Sequence, residues 1–119
     1  MRSLVIKCTA GADEAERCSQ AFTVATTAIV SGAQVSLWLT GEAAWFGVPG
    51  RAEEFVLPLA GSLAEARDLV IGSGDLVVCT QCAARRGLTE DDLLPGVRIA
   101  GAAAFTEAIL ADGVQAIVY

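Results

Sequence analysis

With 119 residues, 54% hydrophobic and 18% charged, and a mean hydropathy of +0.54, the chain is long enough to bury a core and apolar for its size. A net charge of −6, with basic residues adjacent only at Arg85-Arg86, argues against nucleic acid as a partner, because a phosphate-binding face needs clustered lysine and arginine. No apolar run approaches the roughly 18 residues of a spanning helix, so the apolar excess points to a sheet covered on both faces or to a subunit interface, with no membrane partner.

The chain opens with the run Leu4–Thr9, rich in branched residues, which reads as a first strand. Its apolar stretch breaks at Lys7 and shows no cleavage site of the secretory kind, so a cytoplasmic location and reduced thiols are expected. Ala10-Gly11-Ala12-Asp13 is a turn, with Asp13 expected to cap a helix that runs to about Ser31, where Gly32 stops it. Cys18, Phe22, Ala25 and Ile29 fall on one face of that helix, the face expected against a sheet.

Gln34–Leu39 is the second strand, and Thr40-Gly41-Glu42 forms the loop at its C-terminal end. Ala43–Phe46 reads as a short helix ended by Gly47-Val48-Pro49-Gly50, with Trp45 and Phe46 either lining a pocket mouth or interface, or packing locally. Ser62 with Glu65 three residues on forms a capping box for a helix reaching Gly72. Leu76-Val77-Val78 then leads as a third strand into Cys79. Thr89 caps a short helix around Leu93-Leu94 that Pro95-Gly96 stops; Val97–Ala100 is the fourth strand, about 102 to 111 the last helix, and Gln115–Tyr119 the fifth strand.

This alternation of short apolar strands and helices argues for a parallel sheet covered on both faces, in one domain spanning 1–119. Right-handed crossovers bring every strand's C-terminal end to one sheet edge, where ligands bind in open α/β sheets. Cys8 with Thr9, Thr40 with Gly41 and Glu42, and Cys79 gather there.

The stretch Asp75–Gly87, DLVVCTQCAARRG, holds the chemistry. Cys79 ends a strand, Cys82 follows three residues later, and Ala83–Gly87 reads as a turn or two of helix. Unpaired N–H groups at a helix start and a nearby guanidinium, Arg85 or Arg86, would both favour a thiolate. The chain has no histidine, which excludes Ser-His-Asp and Cys-His catalysis and every zinc site with imidazole ligands. Zinc on thiolates alone is disfavoured as well, since Cys18 faces the core and only Cys8 remains to join Cys79 and Cys82. No metal or other cofactor is expected. Glu42 and Asp13 are the carboxylates nearest that edge, as proton acceptors or as capping and loop residues.

The pattern C-x-x-C-A-x-R-R-G from Cys79 to Gly87, followed by Leu88-Thr89-Glu90, resembles the DsrE/DsrF-like family, which includes the TusD-type sulfur-relay subunits. Gly11-Ala12-Asp13 before an Ala-rich helix, Val35–Glu42, and Gly96–Gly101 extend the likeness over most of the chain. It implies a three-layer α/β/α fold with a five-stranded parallel sheet in the order 4-3-2-1-5, assembled as homo-oligomers, trimers or hexamers. It also implies that Cys79 accepts sulfane sulfur as a persulfide and passes it to a partner, between sulfur donor and acceptor proteins. Arg85, Arg86 and Gly87 match the family's basic turn. Cys82 occurs in some branches only, as a thiol that resolves the persulfide or as a bystander. Two other readings stand beside this one: a thiol-disulfide switch through Cys79 and Cys82, and a non-enzymatic oligomeric binding module.

Overall fold

Five short apolar runs pair side by side, all parallel, in the computed structural model, which describes residues 2–119: β1 Ser3–Cys8, β2 Gln34–Leu39, β3 Asp75–Cys79, β4 Val97–Ala100 and β5 Val114–Val118. Their order in the sheet is β4-β3-β2-β1-β5, the expected one. Four α-helices connect and cover them: α1 Ala15–Val30, α2 Leu63–Ser73, α3 Thr80–Arg85 and α4 Ala102–Leu110. No helix among the described residues is long and apolar enough to cross a membrane.

The two-residue period of the strands sorts the sheet into unequal faces. Ile6 and Cys8 of β1, Val35, Leu37 and Leu39 of β2, and Leu76 and Val78 of β3 point into the larger core, filled by Cys18, Ala21, Phe22 and Ala25 of α1 and by Leu63 and Val70 of α2. Val5, Trp38 and Val77 point the other way and meet Phe105 of α4, whose ring stands edge-on to Trp38 at 5.3 Å. That second face has one nine-residue helix over it, and Leu110 and Val118 are left exposed.

Local chemistry explains the boundaries and three departures from expectation. Ser62 Oγ accepts the Glu65 N–H at 3.1 Å, as a cap should. Asp13 does not cap α1: its Oδ1 accepts the Gly11 N–H at 2.8 Å within a 3-10 turn, Ala12–Glu14, that precedes the helix. A short acceptor side chain closing on its own loop competes with capping. Ala43–Phe46 belongs to a longer 3-10 turn, Gly41–Gly47, in which Phe46 is buried edge-on to Phe22 and Phe55, while Trp45 stacks under Arg51 at 4.1 Å. Thr89 does form a capping box, with Asp92, but the turn it starts ends there, with the Leu93 backbone already extended. The Leu94 N–H instead donates to Gly47 O at 2.8 Å.

One buried charge holds the long segment between β2 and α2. Arg67 of α2 is almost fully buried and donates both terminal nitrogens to Glu53 at 2.8 Å, and its Nε to Asp68 at 3.0 Å. Arg67 in turn holds the Glu53 carboxyl down to about 2.

Candidate functional site

β3 is buried through Leu76, Val77 and Val78, and its last residue, Cys79, emerges half-buried at the C-terminal edge, paired with Ala100 of β4. By strand alternation Cys79 shares the face of Val77, the side that α4 only partly covers. At Cys79 the backbone is still extended, with φ −62° and ψ 131°, and Thr80 begins α3, so Cys79 is the N-cap residue. The helix therefore starts earlier than expected, and Cys82 is its third residue, buried, not its beginning. Thr80 and Gln81 carry no apolar periodicity, so that start was invisible in the sequence.

Burial works hardest against a Cys79 thiolate. The Cys82 N–H, the Cys82 thiol, the Gln81 N–H and the Lys7 ammonium together outweigh it and leave the thiol below its ordinary value. No capping hydrogen bond closes on the neutral sulfur. With six residues α3 has little summed dipole, and its first N–H groups act locally as oriented donors.

Around Cys82 the chain is tied tightly. The Gly41 N–H donates to Cys82 Sγ at 3.2 Å. Gly41 has φ +54°, and a Cβ there would sit 2.8 Å from Thr9 O, so both the conformation and the close approach require glycine. Thr40 is pinned to β1 by its N–H and its hydroxyl, both donating to Cys8 O, at 2.9 and 3.3 Å. Arg86 donates Nε and Nη2 to Glu42 Oε2 at 2.9 and 2.7 Å, and Nη1 to Cys82 O at 3.1 Å. Gly11 closes the far side, where a Cβ would meet Glu42 O at 2.6 Å.

Of the residues expected at the site, Thr40, Gly41, Glu42, Cys79, Cys82 and Arg86 come together. Arg86 is engaged with Glu42, and Arg85 is exposed on the last turn of α3. Cys8 does not join them. It points into the larger core, fully buried, and its thiol donates to Ala10 O at 3.2 Å. Cys18 lies beside it, and hydrogen bonding to Cys8 together with burial pushes the Cys18 thiol well up.

Lys7 is the residue sequence reasoning missed, having been read only as the end of an apolar run. Its parity with Val5 was the available signal: both point to the face of Val77 and Cys79. The open groove between α1 and Leu57–Gly61, about 660 Å³, includes none of these residues.

The profile of the DsrE/DsrF-like family matches residues 2–119. The chain belongs to the DsrE/DsrF-like family. It is a family associated in general with sulfur relay. Among solved structures the chain is similar to the ychN protein of E. coli, at 18% identity and a TM-score of 0.78, over 98% of this chain and 99% of that one. It is also similar to MTH1491, a protein of unknown function from Methanobacterium thermoautotrophicum, at 11% identity and a TM-score of 0.76, over the whole of both chains. At these identities the likeness speaks for the fold alone. Among curated proteins none matches the chain.

Proposed function

We propose that this protein carries sulfane sulfur as a persulfide on Cys79 and passes it to a partner protein, as a cytoplasmic member of a sulfur relay. The observation that carries the reading is the state of Cys79. It is accessible at the C-terminal sheet edge, at a strand-to-helix junction, with its thiol held below the ordinary value by Cys82, Gln81 and Lys7 against the pull of burial. A thiolate is the form that attacks sulfane sulfur. Family membership over residues 2–119 supports the same chemistry. Glu42, Gly41 and Arg86 keep Cys82 and the first turn of α3 in place behind it.

Incubation with a sulfane-sulfur donor followed by intact mass spectrometry tests this. The wild type should gain the mass of one sulfur atom, removable by a reductant, and Cys79→Ser should gain none. A wild type that takes up no sulfur from several donors sinks the reading. The Cys79–Cys82 disulfide switch has one observation in its favour, the Cys82 thiol acting on Cys79. It requires a reversible bond between the two in a redox titration. A homo-oligomer, trimer or hexamer, is part of the proposal and is supported by the single helix over the second sheet face, where Leu110 and Val118 stay exposed.

A further inference from the structure

Lys7 lies on β1 in register with Trp38, which is in register with Val77, and Cys79 is two residues beyond Val77 on the same face. Lys7 and Cys79 are thus two strands apart and one pleat out of step, about 10 Å across the sheet and about 7 Å along it. The lysine charge is near enough to act on the Cys79 thiol, and its end is not free to wander: Nζ sits 4.0 Å from the centroid of the Phe105 ring. Phe105 is itself buried and locked edge-on to Trp38. A cation over an aromatic face is located without being neutralised, and among the described residues Lys7 makes no ion pair.

Two of the carboxylates nearest this face are paired. Asp75 of β3 is paired with Arg98 of β4 at 2.8 Å, and Glu42 with Arg86 at 2.7 Å. Glu107, the charged residue of α4, is exposed to solvent. In a chain of net charge −6, which repels anions at long range, one located ammonium without an ion pair lies on the same sheet face as the half-buried thiol.

We propose that Lys7 recruits small anionic sulfur donors to Cys79, so that the substrate class of the site is a sulfane-sulfur anion of the thiosulfate or hydropersulfide kind. This rests on the persulfide reading above. With thiosulfate, the Cys79 thiolate attacks the outer sulfur and forms a new S–S bond. The bond from that sulfur to the sulfonate breaks, its electron pair leaves with sulfite, and Cys79 is left as a persulfide anion with total charge conserved. Lys7 acts on the approaching dianion and on the charge shared between the attacking and leaving sulfurs; it touches neither sulfur and is a positioning residue.

The test is alkylation of Cys79 by iodoacetate, an anion, and by iodoacetamide, its neutral analogue, read at Cys79 by peptide mass spectrometry. The ratio of the two rates cancels the thiolate fraction and so ignores any change in Cys79 acidity. At low salt the ratio should fall about threefold in Lys7→Gln and return in Lys7→Arg. In the wild type it should also fall as salt is raised. A ratio that does not change in Lys7→Gln, or that rises with salt as the net charge alone would dictate, overturns the proposal. The salt series needs only the wild type and stays decisive should Lys7→Gln fail to fold. Thiosulfate loading should slow by a similar factor in Lys7→Gln. If the alkylation ratio follows Lys7 but no donor loads sulfur, the persulfide reading falls and the recruitment of anions by Lys7 stands. If sulfur loads and the ratio ignores Lys7, the reverse holds.

Discussion

Cys8 and Cys18 form one thiol pair, Cys79 and Cys82 another; three of the four lie in the larger core, and only Cys79, packed against its rim, is half-buried. The first pair is fully buried in the larger core, where Cys8 donates to Ala10 O and Cys18 is pushed up by Cys8 and by burial. The second pair sits at the strand-to-helix junction with Cys79 half-buried, Cys82 buried behind it, and backbone N–H groups directed at both. Each pair holds one thiol below its ordinary value, Cys8 through its hydrogen bond with Cys18 and Cys79 through the groups around it, but only Cys79 is reached by solvent. For the two strand-end thiols, Cys8 and Cys79, what differs is the sheet face their strand position selects.

The largest effect expected from that difference is kinetic. Under native conditions a thiol-labelling reagent should modify Cys79 first, and Cys8 and Cys18 slower by a factor on the order of a thousand or more, since their labelling waits on opening of the core. Comparable rates at Cys18 and Cys79, read by mass spectrometry of the peptides, would break the contrast.

Stability should separate the pairs in the opposite sense. Cys18→Ser places a hydroxyl in an apolar core and should cost about 1–3 kcal/mol in a urea unfolding experiment. Cys79→Ser, at a half-exposed position, should stay within about 0.5 kcal/mol. Equal losses would mean that Cys79 contributes to packing far more than its exposure allows.

Alkaline pH separates Cys79 from Cys18, because their signs differ. Cys79 has a folded-state pKa below the unfolded one, so between the two the unfolded chain binds more protons and stability rises with pH. That contribution is present above the unfolded thiol value and is lost as pH falls through the folded one. Cys18 is raised, so its contribution is intact below the unfolded thiol value and is lost as pH climbs above it. From neutral pH upward, Cys79→Ser should therefore flatten the rise, and Cys18→Ala should remove part of the later decline, in urea unfolding series measured at each pH. The acid side tests a third group. Glu53, held down to about 2 by Arg67, keeps its contribution above the ordinary carboxyl range and loses it as pH falls toward 2, and Glu53→Gln should abolish that dependence.

Much of this was legible in the chain. The strands at Gln34–Leu39 and Val97–Ala100 have the expected bounds, the sheet order is that implied by the DsrE/DsrF-like pattern, and Cys79 lies where its strand should end. Such features come from local composition and short spacing. What was not legible depends on parts distant in sequence or on a single parity. Nothing near Glu42 announces Arg86, which is 44 residues away. Cys8 was expected at the same edge as Cys79 and does reach it, but on the other face, because odd and even strand positions diverge there. Lys7 takes the face Cys8 does not. Nothing in the sequence around Arg67 announces Glu53, which is 14 residues away.

The smallest effect concerns what holds the reactive pair together. Arg86 ties the end of α3 to Glu42 and to Cys82 O, while Gly41, the residue before Glu42, donates to Cys82 Sγ. Glu42 is about half exposed, at 47% for its side chain, so solvent screens the ion pair, and a double-mutant cycle of Glu42→Ala with Arg86→Ala should give a coupling of about 0.5–1 kcal/mol. The more telling readout is the alkylation of Cys79. If the clamp acts by holding α3 against the Gly41–Gly47 turn, each single variant loosens the N–H groups facing Cys79 and moves the midpoint of its pH–rate curve upward, toward the ordinary thiol value, and the double variant moves it no further. If instead the Arg86 charge acts on Cys79 through space, Arg86→Ala raises that midpoint while Glu42→Ala, which frees the guanidinium, lowers it. The two outcomes have opposite signs at Glu42, so a single variant decides whether this end of the site works by geometry or by charge.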